Sequence, residues 1–208
     1  MAYTPEDIAI MDSIIKRYPR SRSAIMPLLH FVQSRAGYVT GEGIELIAKL
    51  LTLETAEVSA VATFYTQYKR KPVGEYHVGV CTNTLCAVMG GDAIFAGLKE
   101  HLGVENDGVT ADGKVSLEHI ECNAACDYAP VVMANWEFYD NQTVESSKDL
   151  VDSMRSSNPI PPTRGPHTLV TWKEASAVLA GINDGKAHEG VQAGEPSLLG
   201  LKISKEGK

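Results

Sequence analysis

The 208-residue sequence predicts an α+β protein, an N-terminal helical bundle followed by a small α/β domain with a mixed sheet. Three observations predict it. Apolar residues recur at helical spacing through residues 1–70. The period then changes to two, with Tyr76, Val78 and Val80 alternating with His77, Gly79 and Cys81. Beyond that point the runs follow the order β-α-β-β-β-α, which fits a sheet with helices packed on it. The predicted division is 1–71 for the bundle, 72–157 for the α/β domain, and 158–208 for a Pro/Gly-rich C-terminal extension with one short helix.

Each helix has its own start and stop signals. Thr4 caps the first, with Pro5 at the first helical position and Glu6 and Asp7 near the positive end of the dipole. Ile8, Met11, Ile14 and Ile15 form its stripe, and Tyr18-Pro19 stops it. Ser21 or Ser23 opens a second helix through Leu28, Leu29 and Val32 to Gly37. Thr40 opens a third with Ile44, Ile47, Ala48 and Leu51 on one face, and Thr55 a short fourth. Lys69-Arg70-Lys71-Pro72 is a basic, solvated hinge.

In the α/β domain a strand ends at Cys81. A helix after Cys86 carries Val88, Ile94, Phe95, Leu98 and Leu102 to Gly103. The second strand covers Val115 to Glu121. Pro130–Ala134 and Trp136–Tyr139 then form a hairpin at the sheet edge, and Thr143 caps a last helix. In the extension, Thr171-Trp172-Lys173-Glu174 is a capping box. The stretch 182–208 is mostly small and polar residues around one apolar cluster, Leu199, Leu201 and Ile203. It is either a loose tail or an arm that orders on a partner.

Composition narrows the function classes. Net charge is −7, and residues 71–156 carry five basic against fourteen acidic side chains. Nucleic-acid binding needs the opposite sign, so no nucleic acid is expected. An acidic segment suits a basic protein surface. No apolar run approaches the ~18–20 residues of a spanning helix, and the acidic start, Pro5-Glu6-Asp7, reads as no signal peptide. The expectation is a cytosolic protein whose thiols stay reduced.

The four cysteines are therefore candidate metal ligands. Cys81-x4-Cys86 and Cys122-x3-Cys126 each follow the end of a strand-like run, so two strand ends with a thiol-bearing loop apiece can form one four-thiolate site. Residues alone leave three readings. Zinc accepts four thiolates but favours tight Cys-x2-Cys knuckles. Disulfide or thiol exchange is disfavoured by the compartment and by the lack of Cys-x-x-Cys. A 2Fe–2S cluster needs two thiolates on each iron, which two separate pairs supply. Small or uncharged residues between the cysteines let backbone N–H groups approach the sulfurs.

The two cysteine pairs followed by Ala129-Pro130 resemble the thioredoxin-like 2Fe–2S ferredoxins. Val61-Ala62-Thr63-Phe64-Tyr65, Pro72-x-Gly74 and Val80-Cys81-Thr82-Asn83 narrow the resemblance to the E-subunit family of bacterial NADH–quinone oxidoreductase (respiratory complex I). Asp112-Gly113 and Gly165-Pro166 match as well, so the resemblance spans about residues 4 to 166. It departs in the second loop, where the family often has Gly-Ala and this chain has Asn123-Ala124-Ala125.

The resemblance implies a thioredoxin-like domain holding one 2Fe–2S cluster, with Cys81 and Cys86 on one iron and Cys122 and Cys126 on the other. It implies one-electron exchange with FMN in the adjacent F-type subunit, which also binds NADH. A large iron–sulfur subunit of the peripheral arm is a further implied partner. The implied location is the cytoplasmic face of the inner membrane, without membrane insertion. Such a subunit belongs to an NADH:quinone oxidoreductase and is not catalytic alone; Gly90-Gly91 is no nucleotide fingerprint. The alternatives are the equivalent subunit of an NAD-linked hydrogenase or formate dehydrogenase and, in a different class, a zinc-stabilised interaction module.

Neighbouring residues carry weaker expectations. His77 and His119 are ordinary strand residues, Glu121 and Asp127 are exposed, Tyr128 shields the site, and Trp136 and Phe138 pack on the sheet.

Overall fold

The computed structural model describes residues 3–207. The chain forms two compact units. One comprises residues up to Val73 together with Thr171–Asp184. The other comprises Gly74–Val170 and the residues from Gly185 on. Residues 158–208 thus make no unit of their own, because the chain returns to each unit in turn.

The first unit contains α1 (Pro5–Ile15), α2 (Ile25–Ala36), α3 (Gly41–Leu51) and α4 (Thr55–Phe64). Thr4 and Asp7 close α1 with a reciprocal capping box, and Thr40 accepts the Gly43 N–H at 3.0 Å to start α3. The cap of α4 is Glu54, in a box with Glu57, one residue ahead of the expected Thr55. Gly37 ends α2 in the left-handed region at φ 85°. Met11, Ile14, Leu28, Leu29, Phe31, Ile47 and Val58 fill the core.

The short helix read from Thr171 is further along the chain and belongs to this unit, where it packs on α2. Trp172 is 1% exposed and its indole N–H donates to the Gly37 carbonyl at 2.7 Å. Gln33, wholly buried, accepts the Lys69 N–H at 2.8 Å and donates to the Gln67 carbonyl and the Ser176 hydroxyl. A buried amide with each polar atom engaged avoids the cost of an unpaired group.

The second unit is built on a five-stranded sheet of order β2-β3-β1-β4-β5, from β1 (Tyr76–Cys81), β2 (Gly108–Val109), β3 (Val115–Ile120), β4 (Val132–Ala134) and β5 (Glu137–Tyr139). Only β1 and β3 are parallel, in the register Tyr76↔Val115 through Cys81↔Ile120. The other pairings are antiparallel. The expected mixed sheet and edge hairpin are present, with β5 at the edge.

All six residues of the central strand β1 are buried, as a strand covered on both faces must be. On one face Val78, Val80, Val115, Leu117 and Val132 meet α6 (Gly91–Leu102) and α7 (Val144–Arg155) through Ile94, Leu98, Leu150, Val151 and Met154. The opposite face gathers Cys81, Ile120, Val131 and Met133.

Three local expectations change. The helix expected after Cys86 is two helices, α5 (Thr84–Met89) and α6, broken at Gly90 with φ 119°. Cys86 therefore sits on a helix and not in a loop. Trp136 is not in a strand; with Asn135 it forms the β4–β5 turn, both at positive φ (49° and 72°), the twist that two-residue hairpins demand. The extension holds a second helix, α9 (Glu195–Glu206), besides α8 (Trp172–Leu179).

Candidate metal centre

Each cysteine pair is placed at the same end of the sheet because β1 and β3 run parallel and end together, Cys81 opposite Ile120. Cys81 is the last residue of β1, and its N–H donates to the Val131 carbonyl at 3.1 Å. Cys86 follows on α5. Cys122 lies in the loop beyond β3, and Cys126 opens a 3₁₀ turn, Cys126–Tyr128. Asn83 ties the first loop to the second, donating its side-chain N–H to the Ile120 carbonyl at 3.2 Å. Ala129–Pro130 is a cis peptide.

The pairs differ in exposure. Cys81 and Cys86 are each 3% exposed, whereas Cys122 and Cys126 face solvent. The Cys122 and Cys126 sulfurs stand 3.7 Å apart. The two pairs interact electrostatically, since charge on Cys126 acts on Cys86 and charge on Cys81 acts on Cys126. Among the described residues no three His, Cys, Asp or Glu side chains converge on a common ion-sized point. The Cys81 and Cys86 thiols act on each other, as do those of Cys122 and Cys126.

Burial pushes the Cys86 thiol up to about 11, with the Cys81 thiol adding to the rise and the Val131 N–H opposing it. The neighbouring Cys122 raises Cys126. Thiols crowded this way resist ionising alone, and a bound cation reverses that balance by holding them as thiolates. Backbone donors await the charge. The Ala124 N–H donates to Cys122 Sγ at 3.3 Å and the Val131 N–H lies on Cys86. The donor set fits a group that needs two thiolates on each of two metal ions.

The other expected residues fall outside this cluster. His77 is buried against Ser116 (3.0 Å) and Glu118 (2.9 Å). His119 is exposed, its N–H on Asn106. Glu121 and Asp127 are exposed, while Tyr128 is 8% exposed beside the site. Sequence reasoning missed Arg164, whose guanidinium lies over the Tyr128 and Phe138 rings at 4.7 and 4.0 Å and pairs with Asp140 at 3.0 Å. It also missed Gly194 and Ser197, which contact Tyr128. Glu195-Pro196 is the helix-start signal that could have exposed them.

A mixed sheet with two thiol pairs at the common end of its parallel strands defines a thioredoxin-like domain with a paired-cysteine centre. The model of the thioredoxin-like [2Fe-2S] ferredoxins matches residues 11–155, and the chain belongs to that family. It is 57% identical over 210 residues to the NADH-quinone oxidoreductase E subunit of Mycobacterium tuberculosis (strain H37Rv), covering 99% of this chain and 83% of that protein. It is 39% identical over 158 residues to the protein of the same name from Rickettsia bellii, covering 74% of this chain and 95% of that one. In three dimensions it resembles an NAD+-reducing [NiFe]-hydrogenase in the air-oxidized state, with a TM-score of 0.57 and 18% identity. That match covers 65% of this chain and 23% of the hydrogenase chain, and it bears on fold alone.

Proposed function

We propose that this chain is the 2Fe–2S electron-transfer subunit of an NADH–quinone oxidoreductase. Cys81 and Cys86 would hold one iron, Cys122 and Cys126 the other. The observation that carries the reading is the placement of two thiol pairs at the common end of the parallel strands β1 and β3, with charge on each pair acting on the other. Two pairs suit two irons bridged by sulfides, whereas structural zinc takes all four thiolates at one ion. Bound there, the cluster supplies reversible uptake of a single electron.

The chain's own residues set the conditions for that exchange. Cys81 and Cys86 keep one side of the site dry. The Ala124 and Val131 N–H groups face sulfur and stabilise added negative charge. The electron partner in this reading is FMN in the adjacent NADH-binding, F-type subunit, with the large iron–sulfur subunit as a second neighbour. The excess of acidic side chains in residues 71–156 supports docking on a basic surface. The chain would act at the cytoplasmic face of the inner membrane as part of the complex. Among the described residues no helix is long and apolar enough to cross a membrane.

The 57% identity to a quinone oxidoreductase subunit favours this parent complex over an NAD-linked hydrogenase or formate dehydrogenase; the subunits that copurify from the native source separate these. Iron, acid-labile sulfide and zinc per chain test the centre itself on anaerobically purified protein. About two irons and two sulfides are expected. About one zinc and no sulfide would replace the reading with a zinc-stabilised interaction module.

A further inference from the structure

The family match ends at residue 155, yet the chain's last segment returns to the thiol site. The Gly165 N–H donates to the Val191 carbonyl at 3.0 Å. Three residues later the Gly194 N–H donates to the Tyr128 hydroxyl at 2.7 Å. The Ser197 hydroxyl donates to the Asp127 carboxylate and lies 3.4 Å from the Tyr128 hydroxyl. A Cβ at 194 would stand 2.6 Å from the Tyr128 oxygen, so a side chain there requires Tyr128 or the segment itself to shift.

Tyr128 is gripped from its other side too. Arg164, fixed by Asp140 through Nε–Oδ2 at 3.0 Å and Nη2–Oδ1 at 3.1 Å, lies over its ring. Tyr128 is therefore 8% exposed, although Cys126, two residues earlier in the same 3₁₀ turn, is open to solvent. Hydrophobic burial does not hold α9 in place. None of its residues is buried, and Leu198, Leu199, Leu201 and Ile203 are each at least half exposed. The polar latch on Tyr128 and Asp127 is what seats it.

We propose that the segment from Gly185 to Gly207 is a strap across the Cys126 turn, with Tyr128 the positioning residue through which it fixes Cys126 and keeps water from the Tyr128 side of the turn, the Cys122 and Cys126 thiols themselves staying open to solvent. The proposal rests on the reading of the four cysteines as cluster ligands. Water admitted on the covered Tyr128 side would add to the stabilisation of the extra negative charge of a reduced cluster, so a seated strap keeps the reduction potential lower. A fixed turn also slows loss of the iron held by Cys122 and Cys126, which otherwise requires only local opening of an exposed segment.

The test compares full-length chains carrying the cluster: unaltered, Gly194→Val, Tyr128→Phe and Leu199→Ser. Two quantities are read, the midpoint potential by spectroscopically monitored titration and the rate of iron loss to a ferrous chelator. Tyr128→Phe removes the acceptor of the latch and should raise the potential and speed iron loss roughly fivefold, the effect of one hydrogen bond. Gly194→Val, which displaces the strap, should move both further. Leu199→Ser, on the exposed face, should move neither. Unaltered values in Gly194→Val and Tyr128→Phe would overturn the strap, as would an equal shift in Leu199→Ser, which would mark a general loss of stability. Should Gly194→Val not fold, Tyr128→Phe decides alone. Absence of iron and sulfide from the unaltered chain is a separate result, and it counts against the cysteine assignment.

Discussion

Gly91 lies so close to the end of β1 that a Cβ at position 91 would stand 2.4 Å from the Cys81 carbonyl oxygen, and 2.9 Å from that of Cys86. Both obstacles are backbone and cannot swing aside as a side-chain tip can. The start of α6 is thus fitted to the strand end and the helix that carry the first thiol pair. Gly91→Ala must push α6 or the Cys81 backbone outward, at a cost of about 1–3 kcal/mol. The expected result is a lower thermal midpoint together with reduced iron per chain. Normal iron content at an unchanged midpoint would mean that this contact does not position the thiols.

Ala124 sits at φ 55°, in the left-handed region, between Cys122 and Cys126. Its N–H is the donor to Cys122 Sγ. The left-handed conformation costs an L-residue roughly 1–2 kcal/mol, and glycine removes that cost while adding ~0.5–1 kcal/mol of chain entropy to be lost on folding. Ala124→Gly should therefore stabilise the chain by about 0.5 kcal/mol in denaturant unfolding, with cluster content unchanged. Ala124→Pro cannot adopt a positive φ and has no N–H. It should lose most of the iron, and full retention would show that the loop tolerates another path.

The placement of both cysteine pairs at one end of the sheet was legible because strand ends are marked by local pattern, and parallel pairing of β1 with β3 brings those ends together. Helix starts were legible for the same local reason at Thr4, Thr40, Thr143 and Thr171. What the sequence hid is set by distant contacts. The two-residue β2 is defined by its pairing with β3 rather than by any run of its own. Trp136 has strong strand propensity, yet the Asn135 side chain fixes the turn by accepting the His77 N–H at 2.7 Å and donating to the Val170 carbonyl. The helix that carries Cys86 is too brief to show an apolar stripe. The roles of Trp172 and Arg164 depend on partners Gly37 and Tyr128, far away in the chain.

Serine at the four cysteine positions should separate ligand loss from packing loss. Cys122→Ser and Cys126→Ser, at exposed positions, should lose or weaken the cluster while the cluster-free chain keeps its thermal midpoint. Cys81→Ser and Cys86→Ser place a hydroxyl among Ile120, Val131 and Met133. They should also destabilise the cluster-free chain, by about 1–3 kcal/mol, the cost of burying a hydroxyl without a full partner. The N-terminal helices should stay folded in all four. Normal iron and sulfide in every variant would rule out the ligand assignment.

His30 gives the helical unit a pH dependence of its own. It is 5% exposed, its Nε2 is 3.1 Å from the Gln67 Oε1, and its Nδ1 has no hydrogen-bond partner. The arrangement fits the neutral ring donating from Nε2, and protonation would bury a second N–H with nothing to receive it. Burial accordingly depresses the group from 6.5 to about 4, against a smaller opposing effect of Gln67. The unfolded chain takes up this proton as pH falls through about 6.5, and the folded chain only near 4. Stability is therefore fully present above 6.5 and declines across that window, by up to about 3 kcal/mol. His30→Gln should flatten this part of the curve when urea unfolding is compared between pH 7 and pH 4.5. Parallel curves for the two chains would place the acid sensitivity elsewhere, because no other change in the variant alters the number of protons bound.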